Sequence, residues 1–289
     1  MPWADALPGA GPEASGHGFG VVGFGRMARA LLLPLLEAGL IDPAAVRAVV
    51  AGEASAQSLA ETHGLQVGTD PSAAWQCSTV LLAVKPQQLE AVAAAAAQQA
   101  PAAAAEALAA GEPPLLISVL AGVRLERLER LFPGRQCVRA VPNTPCLVRS
   151  GLTGLAWGEG LSIERRAWVE GLFARVGEVL ELPEGQLDAF LALTSSGPAF
   201  LALVAEAMAD GAVAAGLPRA QAQHLAHRTL AGTAALLQQQ ELHPGQLKDM
   251  VASPAGTTVA GLRRLESAGL RSALIEAVIA AAERSRDLA

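Results

Sequence analysis

The sequence predicts an α/β fold in two parts, a doubly wound, mainly parallel sheet followed by an all-α domain. Three observations predict it. Near-continuous apolar runs alternate with helical stretches through the first half, the pattern of a parallel sheet covered on both faces. The first run, from Phe19, enters a glycine-rich turn that opens a helix. From Pro183 onward the periodicity is helical throughout, with no further strand candidate.

Length and composition bound what the chain does. At 289 residues it is long enough for two domains, each with its own core. Hydrophobic residues make up 52% and aromatics 3%, so the cores are built from Ala, Leu and Val, and the alanine favours helix. The net charge of −6 is interspersed rather than blocked, which argues against a nucleic-acid footprint. No apolar run is long enough to cross a bilayer without Asp, Glu, Gly or Pro interrupting it. Met1 to His17 lack a basic start and an apolar centre, so they do not read as a secretory signal; they are expected to form a mobile tail. Cys77, Cys137 and Cys146 have no C-x-x-C spacing and read as reduced core thiols of a cytoplasmic protein, with no metal site.

Phe19 to Leu33 reads strand, tight turn, helix. Gly23-Phe24-Gly25-Arg26-Met27-Ala28 fits the dinucleotide fingerprint in its alanine-ending form, so a Rossmann-type domain is expected. Gly23 permits the turn, Gly25 lets a pyrophosphate approach the backbone, and Ala28 keeps helix and strand close. Val46–Ala51 is the second strand and Ala54–His63 its helix. Glu53 stands where an acid binds a ribose 2′-hydroxyl; a solvated loop glutamate is the equal alternative, and Arg26 partly offsets its charge. Further strands are Thr79–Val84, Leu115–Val119 and Gln136–Val141. They end in Lys85-Pro86, Ala121-Gly122 and Pro142-Asn143-Thr144-Pro145, the strand C-termini where such sheets bind ligands. The alanine-rich stretch Ala91–Ala110 is a helix with a break at Pro101 and no chemistry.

In the second half, Ser195-Ser196-Gly197-Pro198 supplies cap hydroxyls and a first-turn proline to a long helix, Ala199–Ala215. That helix is apolar nearly all round and needs burial on every side, which makes a subunit interface the natural cover. Glu206 and Asp210, at i and i+4, read as backbone or arginine partners rather than an acid/base pair. His224 and His227 have metal spacing without a third ligand and read as a partly exposed face. His243 precedes a proline and orders a turn.

The block from His243 to Thr258 carries the most information. Ser253-Pro254-Ala255-Gly256-Thr257-Thr258 opens a helix whose apolar positions are Val259, Leu262 and Leu265, and Gly269 stops it. Unpaired amides and the positive dipole end of such a helix bind anions, and two threonine hydroxyls add donors. A small carboxylate fits there.

Taken together these motifs resemble pyrroline-5-carboxylate reductases. The matching segments are Gly23 to Ala28, Ala83-Val84-Lys85-Pro86, Pro142 to Pro145, Ser196 to Ala199, Glu206 to Gly211, Gly216 to Arg219 and His243 to Gly261. They span nearly all of the chain after residue 18, in the family's order. The resemblance implies a Rossmann-type domain at 18–183 and a helical dimerisation and substrate domain at 184–289, after the tail at 1–17. It implies sites shared between one subunit's nucleotide domain and the other's helices, in homodimers that assemble further into decamers. It places the substrate carboxylate on Ser253 to Thr258, the ring nitrogen on Thr258 and Glu241 close by. Ala83, Val84, Lys85, Pro86, Ala121, Gly122, Pro142, Asn143 and Thr144 then join the glycine turn around the cofactor.

The expected activity is reduction of 1-pyrroline-5-carboxylate to L-proline, the last step of proline synthesis, with NADP as cofactor and NAD as the alternative. Reduction of a six-membered relative, piperideine carboxylate, and a non-catalytic nucleotide-binding dimer are the rival readings. The chain departs from the resemblance at Ala255, where the family has glycine, at Thr194-Ser195-Ser196, where it has Ser-Gly-Ser, and at Glu53, where it has small polar or basic residues.

Overall fold

A computed structural model describes residues 18–109 and 113–288. The tail expected at 1–17 lies outside the described residues. Compact packing divides the chain into two units, one running to Ser195 and taking in the end of the chain from Ala282, the other Ser196–Ala281.

The first unit runs β1 (Phe19–Val22), α1 (Arg26–Glu37), β2 (Val46–Val49), α2 (Glu53–His63), β3 (Gln66–Gly68), α3 (Ser72–Trp75), β4 (Thr79–Leu82) and α4 (Leu89–Ala109). It continues through β5 (Leu115–Ser118), α5 (Leu125–Leu131), β6 (Gln136–Val141), β7 (Gly151–Trp157), α6 (Ile163–Ala174), β8 (Gly177–Glu181) and α7 (Leu187–Thr194). The strands form one sheet in the order β3-β2-β1-β4-β5-β6-β7-β8. Pairing is parallel except between β6 and β7, where Val138 faces Trp157 and Val141 faces Gly154. The order turns back at β1, which β2 and β4 flank in parallel, so the switch point lies beyond Val22, at the glycine turn.

Two buried clusters explain why this unit holds together. One packs α1 and α6 through Leu31, Leu32, Val169 and Phe173 against Val21, Ile117 and Val138. The other packs α4 and α5 through Leu89 and Leu128 against Val80, Leu82 and Leu116. Strands that are apolar on both faces need exactly such cover on both sides.

Helix α4 runs through position 101, so the expected break at Pro101 is absent. One lost backbone bond is carried by alanines on both sides, each at the most favourable end of the helix scale. Strands β3, β7 and β8 and helix α6 extend the sheet beyond the elements read from sequence.

A charged network is buried beside the sheet. Arg139 on β6 is 1% exposed. Its guanidinium donates to Glu184 at 3.2 Å and to Asp188 on α7 at 3.3 Å. Glu184 also accepts the Leu125 amide at 2.7 Å, which caps α5. Asp188 takes a second donor, the Ser285 hydroxyl of the last helix, at 2.7 Å.

The second unit is helical: α8 (Gly197–Ala214), α9 (Arg219–Gln239), α10 (Pro244–Val251), α11 (Thr257–Ser267) and the greater part of α12 (Leu270–Asp287). The expected hydroxyl caps on α8 do not form. Ser195 and Ser196 keep helical backbone angles, and Ser196 makes no cap bond. An N-cap needs extended angles to aim its oxygen at the first amides. The Ser195 hydroxyl instead donates to the Pro142 carbonyl at 3.3 Å.

Candidate functional site

The glycine turn is built by close packing. Gly23 has φ +90, and a Cβ there would stand 2.7 Å from the Ala83 carbonyl oxygen. Only glycine satisfies both conditions. At Gly25 the reverse holds: nothing lies within 4 Å of where a Cβ would be. Gly25 is the N-cap of α1, so its open side faces a helix start, where a phosphate is held. Ala28 is fully buried and lets α1 lie close on β1.

This turn opens on a cleft of about 810 Å³. Gly23, Phe24, Gly25, Ala83, Val84 and Lys85 all line it, bringing together the first and second expected cofactor segments. Among the described residues the charged ones on its wall are Arg29 and Lys85, and no carboxylate lines it. Trp75 forms part of the floor, stacked on Phe132 at 5.4 Å, and its indole nitrogen is a buried donor without a partner among the described residues. An open phosphate cradle, a cationic wall and an orphaned donor fit a dinucleotide.

Other expected cofactor residues stand apart from that wall. Glu53 is the first residue of α2 and accepts the Thr69 hydroxyl at 2.6 Å. Arg26 is exposed at the start of α1, while Arg29, one turn on, lines the cleft. Gly122 is covered by Leu288, whose Cβ would be 2.9 Å from a Cβ at that glycine. Asn143 is buried with its amide engaged at both ends, donating to the Thr194 carbonyl at 3.0 Å and accepting the Leu152 amide at 2.9 Å. Pro142 is buried, Thr144 is exposed, and Pro86 opens a short 3₁₀ turn.

Arg29, Ser55, Ser58, Thr69 and Trp75 are wall residues that the sequence reading did not single out. Arg29 was the most legible of them, because it follows Gly25 by four residues and so shares its helix face. The serines gave no signal beyond their place after β2.

The loop expected to hold a carboxylate is built in the helical unit. His243 caps α10 by accepting the Gly245 amide at 3.1 Å, and its own amide donates to Gln246 at 2.9 Å. The loop then closes with the Gly256 amide on the Ser253 carbonyl at 2.9 Å. Ala255 sits in the left-handed region at φ +55. Gly256 is the extended N-cap of α11, and a Cβ on it would collide with the Ser253 hydroxyl. Thr257 and Thr258 form the first turn of α11, so their amides have no carbonyl one turn back. Glu241 is exposed at φ +49, in the turn between α9 and α10.

Asp210 pairs with Arg219 of the same chain, and His224 and His227 are exposed. No metal-binding cluster occurs among the described residues. The unit buries little of its own surface: its core cluster is Ala209, Ala222 and Ala226, whereas Leu201, Leu203, Met250 and Ile275 are each more than half exposed.

Comparison with known proteins accounts for both halves. Residues 18–122 match the family described as NADP oxidoreductase, coenzyme F420-dependent, and residues 184–288 match pyrroline-5-carboxylate reductase dimerisation. The pyrroline-5-carboxylate reductase of Synechocystis is 44% identical over 93% of this chain and 97% of its own length. That of Thermus thermophilus is 39% identical over 92% and 97%. The Coxiella burnetii reductase structure superposes with a TM-score of 0.81 at 30% identity, covering 94% of this chain and 98% of that one. The Plasmodium falciparum structure, solved with NADP bound, gives 0.82 at 25% identity over the same shares. A phosphate-cradling cleft, a helix-start loop and relatives matching along almost the whole length place this chain in the pyrroline-5-carboxylate reductase family.

Proposed function

We propose that this chain reduces 1-pyrroline-5-carboxylate to L-proline, with the cleft beside Gly25 holding NADPH and the Ser253–Thr258 loop holding the substrate carboxylate. The observation that carries the reading is the loop. A helix start with free amides, two threonine hydroxyls and a glycine whose Cβ would press on Ser253 is a carboxylate cradle, and a mere nucleotide binder has no use for one.

When bound, NADPH supplies the hydride. The chain's residues have little further chemistry to do, because a protonated cyclic imine already accepts hydride well. Positioning dominates, and effective molarities of about 10⁵ M or more are reached that way. The amides of the loop fix the carboxylate, Thr258 orients the ring nitrogen and holds its proton, and Glu241 lies near the substrate. Gly25 and the amides of Arg26 and Met27 take the pyrophosphate, and Lys85 borders the nicotinamide. The assignment leaves no role for a strong acid, in keeping with the engagement of Asp210 by Arg219.

Residues 18–183 serve as the nucleotide-binding part and 184–289 as the dimerisation and substrate part. Three alanines are too small a core for five helices, so a second copy covers the apolar faces of α8 to α12. The most apolar 18-residue window of Glu184–Ala214, only 28% buried within one chain, is part of what that copy covers. Such dimers assemble into decamers, and the enzyme works in the cytoplasm.

A comparison of kcat/KM on five- and six-membered cyclic imine carboxylates tests the substrate assignment. The five-membered ring is expected to be preferred; preference for piperideine carboxylate transfers the assignment to that ring.

A further inference from the structure

We propose that Arg29 is the residue that selects a 2′-phosphorylated dinucleotide, and that Glu53 has no part in reading the ribose. The inference rests on the NADPH reading above and names what that reading leaves open.

The wall of the cleft is cationic in a chain that is acidic overall, with a net charge of −6. Its two charges stand on opposite sides of the switch point. Lys85 follows β4, and Arg29 stands on α1, which leads from β1 to β2. Strands β2 and β4 flank β1 on either side. A dinucleotide across such a point places its adenosine ribose toward the end of β2, so its 2′ position falls among the residues that follow β2. The polar ones on the wall are Ser55 and Ser58, both neutral donors, and Arg29 shares the wall with them.

Arg29 is exposed and unpaired among the described residues, so its fork is free for a phosphate. Glu53 is the residue that would oppose it. Its carboxylate accepts the Thr69 hydroxyl and is off the wall, so it stands behind Thr69 rather than against a 2′-phosphate. The chain thus reaches phosphate selectivity from the helix of the glycine turn rather than from the loop after β2.

Binding of two fragments tests this without turnover, 2′,5′-ADP, which carries the 2′-phosphate, and 5′-AMP, which lacks it. Titration calorimetry on the full chain is expected to show 2′,5′-ADP binding more tightly by about tenfold to a hundredfold, the size of a charge-assisted bidentate contact. Arg29→Gln is expected to abolish that difference while leaving the 5′-AMP affinity within about twofold, and Arg29→Lys to restore part of it. Equal weakening of both fragments in Arg29→Gln, or unchanged 2′,5′-ADP binding, overturns the assignment. A wild-type protein that binds neither fragment instead overturns the dinucleotide reading on which it rests.

Discussion

Thr69 donates its hydroxyl to the Glu53 carboxylate at 2.6 Å, joining the loop after β3 to the first turn of α2. The bond engages one oxygen of the acid that the sequence places near the ribose, an acid that does not line the cleft. Glu53→Gln is therefore expected to change the NADPH-to-NADH ratio of kcat/KM by less than about threefold, the scale of an exposed charge. Steady-state rates with both nicotinamides measure it. A rise of an order of magnitude in the KM for NADH would return Glu53 to the ribose.

Thr258 stands at the second position of α11, half-buried beside the loop. Thr258→Ala is expected to lower kcat by about a hundredfold, the scale of misplacing the reacting ring by about 1 Å. The Kd for NADPH should not move, and Thr258→Ser should recover most of the rate. Wild-type turnover in Thr258→Ala removes this hydroxyl from the mechanism.

Ala255 holds φ +55, a region that costs a Cβ-bearing residue about 1–2 kcal/mol. Glycine avoids that cost but loses about 0.5–1 kcal/mol more on ordering. Ala255→Gly should accordingly raise the free energy of unfolding by up to about 1 kcal/mol, read by urea titration. Ala255→Val, which cannot hold this conformation easily, should lower it and loosen substrate binding.

The network around Arg139 makes a sharper demand. With Arg139 1% exposed, Asp188→Ala leaves a buried guanidinium short of a partner. The expected loss is about 3–5 kcal/mol. Ser285→Ala removes one hydroxyl donor and should cost about 1 kcal/mol. Chemical denaturation of each variant separates the two; equal, small losses would show that the pair is not needed.

Burial pushes the Cys137 thiol from the ordinary 9.0 up to about 12, and the Glu129 carboxylate adds to the rise. Thiols of the unfolded chain ionise first, so this contribution is fully present below about pH 9. It is lost as the pH rises toward about 12, at up to about 1.4 kcal/mol per unit. The difference in stability between wild type and Cys137→Ala, followed across that window, should shrink with rising pH. A constant difference contradicts the burial argument.

How much of this was legible in the sequence follows from what each element signals. The parallel core was legible because β1, β4, β5 and β6 are apolar on both faces and lead into turns with glycine, proline or lysine. The edge was not, because β3 and β8 are short or half-exposed, and β7 runs antiparallel behind a turn that the Pro142–Pro145 motif obscures. The glycine turn and the α11 start were read correctly as local structures, since their geometry is dictated by neighbours in sequence. Glu53 and Asn143 could not be read that way: Thr69 and Thr194, which engage them, are distant in the chain. The same limit concealed Arg139, whose partners lie on α7 and in the turn before it.

The most direct test of the account is the stoichiometry of the reaction it assigns. With 1-pyrroline-5-carboxylate and NADPH, the protein is expected to form one L-proline for each NADPH oxidised, and Thr258→Ala to slow the two together. If neither NADPH nor NADH is oxidised with five- or six-membered cyclic imine carboxylates, the cleft and the loop do not build a reductase.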